Sequence, residues 1–203
     1  IPGAVALIRR NNKIIYNKAF GYSDVENKIM YSTDDIFRIA SMTKAVTSLA
    51  VLMLWEEGEF NLDDPIEKYI PEFKDLKVLT DFNETDSTYL SKPAENKISI
   101  RHLLTHTSGI GYGVIDEDAR FKAIYKKQGI VDLFTTDSIN IGSNVKQLAQ
   151  LPLHHEPGEA FTHGESLDVL GYFIEVIPQK SSDVFFKERI CDPVEMNDTY
   201  FYL

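Results

Sequence analysis

The run Ala45-Val46-Thr47-Ser48-Leu49-Ala50-Val51-Leu52-Met53-Leu54-Trp55 is apolar nearly all round and is closed by Gly58, which predicts a buried helix with a glycine stop. Its first turn contains Ser41 and Lys44, with Phe37-Arg38-Ile39-Ala40 before them. A hydroxyl and an amine three residues apart at a helix start share one face, at about 5–6 Å between Cβ atoms. A serine hydroxyl is a poor nucleophile at neutral pH and needs a neighbouring base. A lysine can be that base if burial and cationic surroundings lower its pKa, and the positive end of a helix pushes the same way. The same helix end offers the Ser41 backbone N–H to a developing oxyanion.

Spacing alone decides little. Ser143-Asn144-Val145-Lys146 repeats the pattern and reads as a capped amphipathic helix with a solvated lysine. At Ser41 itself, a helix cap with a snorkelling lysine is the competing reading.

The totals narrow the classes. The chain has 203 residues, 43% hydrophobic and 11% aromatic, which suits one globular unit or two interleaved subdomains. A formal net charge of -10 argues against nucleic acid and against an anionic membrane surface. The longest apolar run, Leu49 to Trp55, is too short to span a bilayer. The single cysteine, Cys191, reads as a buried small apolar residue. Ile1-Pro2-Gly3-Ala4-Val5 has neither an initiator Met nor a signal-peptide layout, so the expectation is that the true N-terminus lies upstream.

Ala4–Ile8, the Asn11-Asn12 turn and Ile14–Tyr16 up to Gly21 predict a hairpin. Pro65 can open a short helix and Ser99 caps another over Ile100–Leu104. Residues 74–97 read as a polar, exposed insertion, turn-rich over Asp81–Ser87 and interrupted at Lys92-Pro93. Further helices are predicted over 116–128, 143–151, 166–177 (ended by Pro178) and 182–190. Tyr200-Phe201-Tyr202-Leu203 reads as the start of a strand.

Several separated segments together resemble the penicillin-recognising serine hydrolases, in the branch of class C β-lactamases, D-Ala-D-Ala carboxypeptidases and esterases. They are Phe37–Lys44, Leu62-Asp63-Asp64-Pro65-Ile66, Ile100-Arg101-His102-Leu103-Leu104-Thr105-His106-Thr107-Ser108-Gly109-Ile110, Pro157-Gly158-Glu159 and Asp192-Pro193. The resemblance runs from about residue 3 to the end. It implies an α+β, β-lactamase/transpeptidase-like fold, an antiparallel sheet flanked by helices with a helical subdomain. Residues 1–40 and 199–203 would belong to the sheet part, and 41–198 to a mainly helical part carrying the 74–97 insertion. It also implies a serine hydrolase that forms an acyl-enzyme with an ester, amide or β-lactam carbonyl of a small molecule or peptide, without a cofactor. A periplasmic or secreted location goes with the family.

Two departures stand out. Aligning Phe161-Thr162-His163-Gly164-Glu165-Ser166 with the family's second motif puts His163 where a tyrosine should stand. An imidazole could move the same proton, so His163 is either a working acid/base or the mark of a weakened catalyst that still binds. A third reading makes it a surface-loop histidine with the true tyrosine elsewhere. Tyr112, after the Thr-Ser-Gly loop, and Tyr172, inside a predicted helix, fit the expected position poorly. Glu165 in that motif could repel acidic substrates such as penicillins. The remaining histidines suggest no zinc site: His102 and His106 read as loop packing, His154-His155 as an exposed turn.

The family's third motif, with its second oxyanion donor, has no counterpart here. A hairpin plus one terminal strand is a poor sheet for so many helices, so C-terminal strands are expected to come from further polypeptide. The expected catalytic set is therefore Ser41, Lys44 and His163, with no metal. The alternatives are an impaired member acting as a binding or regulatory module, or a structural fragment of a larger assembly.

Overall fold

A computed structural model describes residues 1–133, 135 and 139–201, and the chain divides after Ala40. In the first unit, strands β1 (Gly3–Arg10) and β2 (Lys13–Asp24) pair antiparallel, from Gly3 opposite Gly21 to Arg10 opposite Lys13, with a bulge between Ile8 and Arg9. Asn11 and Asn12 close the turn with φ of 48° and 60°. Two consecutive left-handed residues are what a two-residue hairpin turn requires, and asparagine tolerates that region. A short β3 (Ile29–Met30) adds to β2, giving the order β1-β2-β3. β1 therefore keeps one edge without a partner strand among the described residues. Apolar side chains on this hairpin face water: Leu7 is 56% exposed and Ile15 60%.

A 3₁₀ turn over Ala40–Met42 leads into α1 (Thr43–Glu56), the first helix of the second unit. Gly58 stops it with φ of 80° and donates its N–H to the Trp55 carbonyl. The helix is buried on one side only, through Thr47, Ala50, Val51 and Leu54. Leu49, Leu52 and Trp55 stay 40–47% exposed, so the expectation of burial all round is corrected for this chain.

Residues 77–93, within the predicted insertion, form a second antiparallel pair, β4 (Lys77–Asn83) and β5 (Thr88–Pro93). The turn-rich stretch is the tip of this hairpin. Pro93 ends β5 opposite Lys77 instead of breaking the element, a place where a missing N–H costs little. Val78 also bridges to Leu153, so the hairpin is anchored to the loop ahead of the second motif.

α2 (Ile100–Leu104) opens with a capping box, in which the Ser99 hydroxyl accepts from the His102 N–H and the Ser99 N–H donates to the His102 ring. α3 (Ala119–Gln128) is capped by Asp118 and closed by Gly129 at φ 66°. α4 (Ile141–Leu148) starts ahead of the expected Ser143, because Asn140 accepts the Ser143 N–H. α5 (Ser166–Val176) buries Leu167, Val169, Leu170, Phe173 and Ile174, and packs against α1, α2 and α4. Phe60 and Tyr69 meet Phe173 edge-on at 5.0 and 5.1 Å. α6 (Ser182–Phe186) continues as a π turn over Lys187–Cys191. Tyr200 and Phe201 carry no strand, and Tyr202 and Leu203 lie outside the described residues.

Candidate active site

The two Ser-x-x-Lys segments have different surroundings. In α4, the Ser143 hydroxyl donates to the Asn140 carbonyl while Lys146 pairs with Glu72 at 3.0 Å, which is capping plus a surface ion pair. At the head of α1, the Lys44 ammonium donates to Ser41 Oγ at 3.3 Å, and its nitrogen lies 5.7 Å from the centre of the Tyr112 ring. Ser41 is exposed and Lys44 half-buried, so the pair lies at an accessible end of the helix instead of the buried one expected.

Tyr112 reaches that place because the loop 106–111 is sewn to the segment 154–165 by backbone hydrogen bonds. The N–H groups of His154, Gly158, Thr162 and Glu165 donate to the carbonyls of Gly109, Thr107, His106 and Gly111 at 2.8, 2.8, 2.8 and 3.2 Å. Gly109, at φ 83°, makes this approach possible, since a Cβ there would lie 2.6 Å from the His155 carbonyl oxygen. Below the backbone, the Ser108 and Ser166 hydroxyls bond at 2.9 Å with both residues fully buried.

The seam brings three rings into a row. Tyr112 meets His163 at 5.1 Å between ring centres, and His163 meets His106 at 5.4 Å. His163 thus sits beside the ring that covers Lys44. His106 was expected only to pack its loop, yet it belongs to this cluster, with Phe161 on its other side at 5.8 Å. Tyr112 was likewise set aside from the sequence, although it is the tyrosine found beside the lysine. A readable signal existed. Glycines flank Tyr112 one residue beyond Thr107-Ser108-Gly109, and a Cβ on Gly111 would run into His154 and Asp116.

Burial pushes the Tyr112 phenol up, against the pull of the Lys44 ammonium beside it. Burial also pushes the His106 imidazole down, and His163 and Lys44 push it the same way, so His106 favours its neutral form. Its Nδ1 is buried without a hydrogen-bond partner. Asp168 on α5 is crowded by protein that pushes its carboxyl up, with Lys44 opposing. Water still reaches its exposed surface, so that shift weighs little on stability.

Glu165 differs from expectation. It is 1% exposed and its carboxyl is pushed up to about 9, by burial first and then by Asp168 and Asp132. Asn144 Nδ2 donates to its Oε2 at 3.4 Å, while Oε1 has no partner. At neutral pH Glu165 is a buried neutral acid, and it presents no charge to repel an acidic ligand. His154 and His155 are not an exposed turn either. His154 stacks on Phe121 at 3.4 Å and bonds Asp116 at 3.1 Å, and His155 bonds the Thr162 hydroxyl at 2.8 Å. Cys191 is buried. Among the described residues, no three His, Cys, Asp or Glu side chains gather to hold a metal ion, and no helix is long and apolar enough to cross a membrane.

The chain is 33% identical over 201 residues to esterase EstB of Burkholderia gladioli, covering 99% of this chain and 47% of that protein. Among solved structures it is similar to EstCE1, a hydrolase with promiscuous acyltransferase activity, with a TM-score of 0.79 and 31% identity over 96% of this chain and 47% of that one. The unliganded selenomethionyl simvastatin synthase LovD of Aspergillus terreus gives a TM-score of 0.75 and 28% identity, again over 96% and 47%. The chain spans about half the length of these relatives. Its fold is of the α+β, β-lactamase/transpeptidase-like class, as the resemblance implied. The model of the beta-lactamase family matches residues 1–203, and this chain belongs to that family.

Proposed function

We propose that the protein is a serine hydrolase of this family that forms an acyl-enzyme on Ser41, with an ester, amide or β-lactam carbonyl as the target. The observation that carries the reading is the 3.3 Å contact between Lys44 Nζ and Ser41 Oγ at an accessible helix head. The free-amine form of Lys44 takes the hydroxyl proton as Oγ bonds to the carbonyl carbon, leaving the ammonium. The Ser41 N–H and one donor from outside this chain hold the oxyanion. As the tetrahedral intermediate collapses, the bond to the leaving group breaks and the leaving group takes a proton relayed through His163. Water or an amine then attacks the ester on Ser41 and releases the acyl group. The esterase and acyltransferase named among the relatives support an ester as the first substrate to try.

Further polypeptide completing the sheet is part of the same reading. It is supported by the edge of β1 that has no partner strand among the described residues and, separately, by the exposed apolar side of α1. If residues 1–203 alone melt cooperatively and turn over an ester as fast as a longer form, that part of the reading is wrong.

The test of the chemistry is a fluorophosphonate label on the full-length protein, with p-nitrophenyl butyrate, nitrocefin and a D-Ala-D-Ala peptide assayed beside it. Labelling that disappears in Ser41→Ala supports the enzyme. Intact protein that takes no label is a binding module instead.

A further inference from the structure

Three consecutive backbone N–H groups, those of Tyr112, Gly113 and Val114, are held by just two carboxylates. Tyr112 N–H donates to Asp116 Oδ2 at 2.9 Å, and Gly113 and Val114 both donate to Asp132 Oδ2 at 2.8 and 2.7 Å. Each carboxylate is itself fixed. Asp116 is 7% exposed, accepts the Asp118 N–H on Oδ1 at 2.8 Å, and meets the His154 ring, which is stacked flat on Phe121. Asp132 follows Val131, whose N–H and carbonyl are both bonded by the Asn144 side-chain amide at 3.0 and 2.9 Å. The glycine between the two anchor points fits this arrangement, because a Cβ on Gly113 would meet Tyr125 at 3.0 Å and Asp132 Oδ2 at 3.2 Å.

Charge-assisted bonds from amides to an ionised carboxylate are shorter and stronger than neutral ones, and two on one oxygen fix direction as well as distance. Fixing a loop this tightly costs chain entropy at every residue, and closing a surface loop does not require it. The segment they hold carries Tyr112, whose ring lies over the Lys44 ammonium and against His163.

We propose that Asp116 and Asp132 are positioning residues: together they clamp the Tyr112–Val114 backbone so that the Tyr112 ring holds Lys44 toward Ser41 and keeps His163 beside it. The proposal rests on the acyl-enzyme reading above. Neither carboxylate touches the reacting atoms; both act through Tyr112.

The test is a double-mutant cycle on the full-length protein, read as the rate of Ser41 labelling by a fluorophosphonate, with amide hydrogen exchange to follow the clamp. Asp132→Ala is expected to speed exchange of the Gly113 and Val114 amides and to slow labelling about tenfold, less than the roughly 10²-fold that a 1 Å misplacement of a reacting group can cost. Asp132→Asn keeps an acceptor oxygen and should recover part of that rate; it also serves where the alanine variant does not fold. Tyr112→Ala removes the ring through which the clamp acts, so Tyr112→Ala/Asp132→Ala is expected to label no more slowly than the slower single variant. Equal and additive losses in the cycle, or Asp132→Ala labelling as fast as the parent, overturn the clamp and leave the acyl-enzyme reading standing. A parent whose labelling does not depend on Ser41 overturns both.

Discussion

Glu165 allows a quantitative check on the interior of the site. Its carboxyl is held at about 9 in the folded chain against an ordinary 4.5. Between those values the folded chain keeps the proton and the unfolded chain loses it, so unfolding releases a proton. Stability therefore falls as pH rises, by about 1.4 kcal/mol per pH unit. This contribution is fully present below the unfolded value and is lost as pH climbs through the folded one. The accumulated loss is about 3 kcal/mol at pH 7, which is large beside a typical domain stability of about 5–15 kcal/mol. Glu165→Gln keeps the size of the side chain and an oxygen for the Asn144 amide while removing the titration. The assay is urea unfolding of parent and variant at several pH values from about 5.5 to about 8.5. The parent should lose about 4 kcal/mol more than the variant across that interval, so that Glu165→Gln is the more stable protein at the alkaline end. Parallel stability curves would refute the reasoning, because they would mean that Glu165 ionises in the fold as easily as outside it.

Other outcomes follow from single contacts. Lys44→Met is expected to lower the rate of Ser41 labelling by about 10²–10⁴, the span of general-base contributions, without changing the melting temperature by more than a few degrees. His163→Phe should slow ester turnover by about 10² while keeping a ring against Tyr112, and His163→Tyr should recover activity relative to it; equal rates in the two variants would remove His163 from the proton path. Gly129→Ala has open space for its methyl but must hold φ of 66°, so urea unfolding should show a loss of about 1 kcal/mol. Asn140→Ala removes the cap of α4 and should cost about 1 kcal/mol by the same measurement.

The parts of this molecule that depend on near neighbours were readable before any coordinates. The Asn11-Asn12 turn, the helix after Ser41 and its Gly58 stop are local decisions, made by turn chemistry and apolar periodicity within a few residues. So is the Ser41–Lys44 contact, which needs only one turn of helix. The β4–β5 hairpin was missed because its strands are half polar, and its stability comes from pairing and from Leu153, more than fifty residues away in sequence. Tyr112 and His106 were missed for the same reason. What places them is the backbone seam to residues 154–165; the glycines flanking Tyr112 signal a close approach without saying which segment makes it.

Glu165 marks a different boundary. The sequence shows a carboxylate in the second motif, and a charge there argues against anionic substrates. The fold places that carboxyl behind Asn144 and near Asp168 and Asp132, where ionising it would add a like charge to a desolvated site. Residue type was read correctly and charge state was not, because charge state belongs to the surroundings. The consequence reaches function: with Glu165 neutral, what lies beside Lys44 is a row of rings formed by Tyr112, His163 and His106. An anionic lactam therefore meets no buried carboxylate charge at position 165, and side-by-side rates for nitrocefin and p-nitrophenyl butyrate in Glu165→Gln should keep the parent's ratio. A rise in the nitrocefin rate alone would mean that Glu165 had been charged in the working site after all.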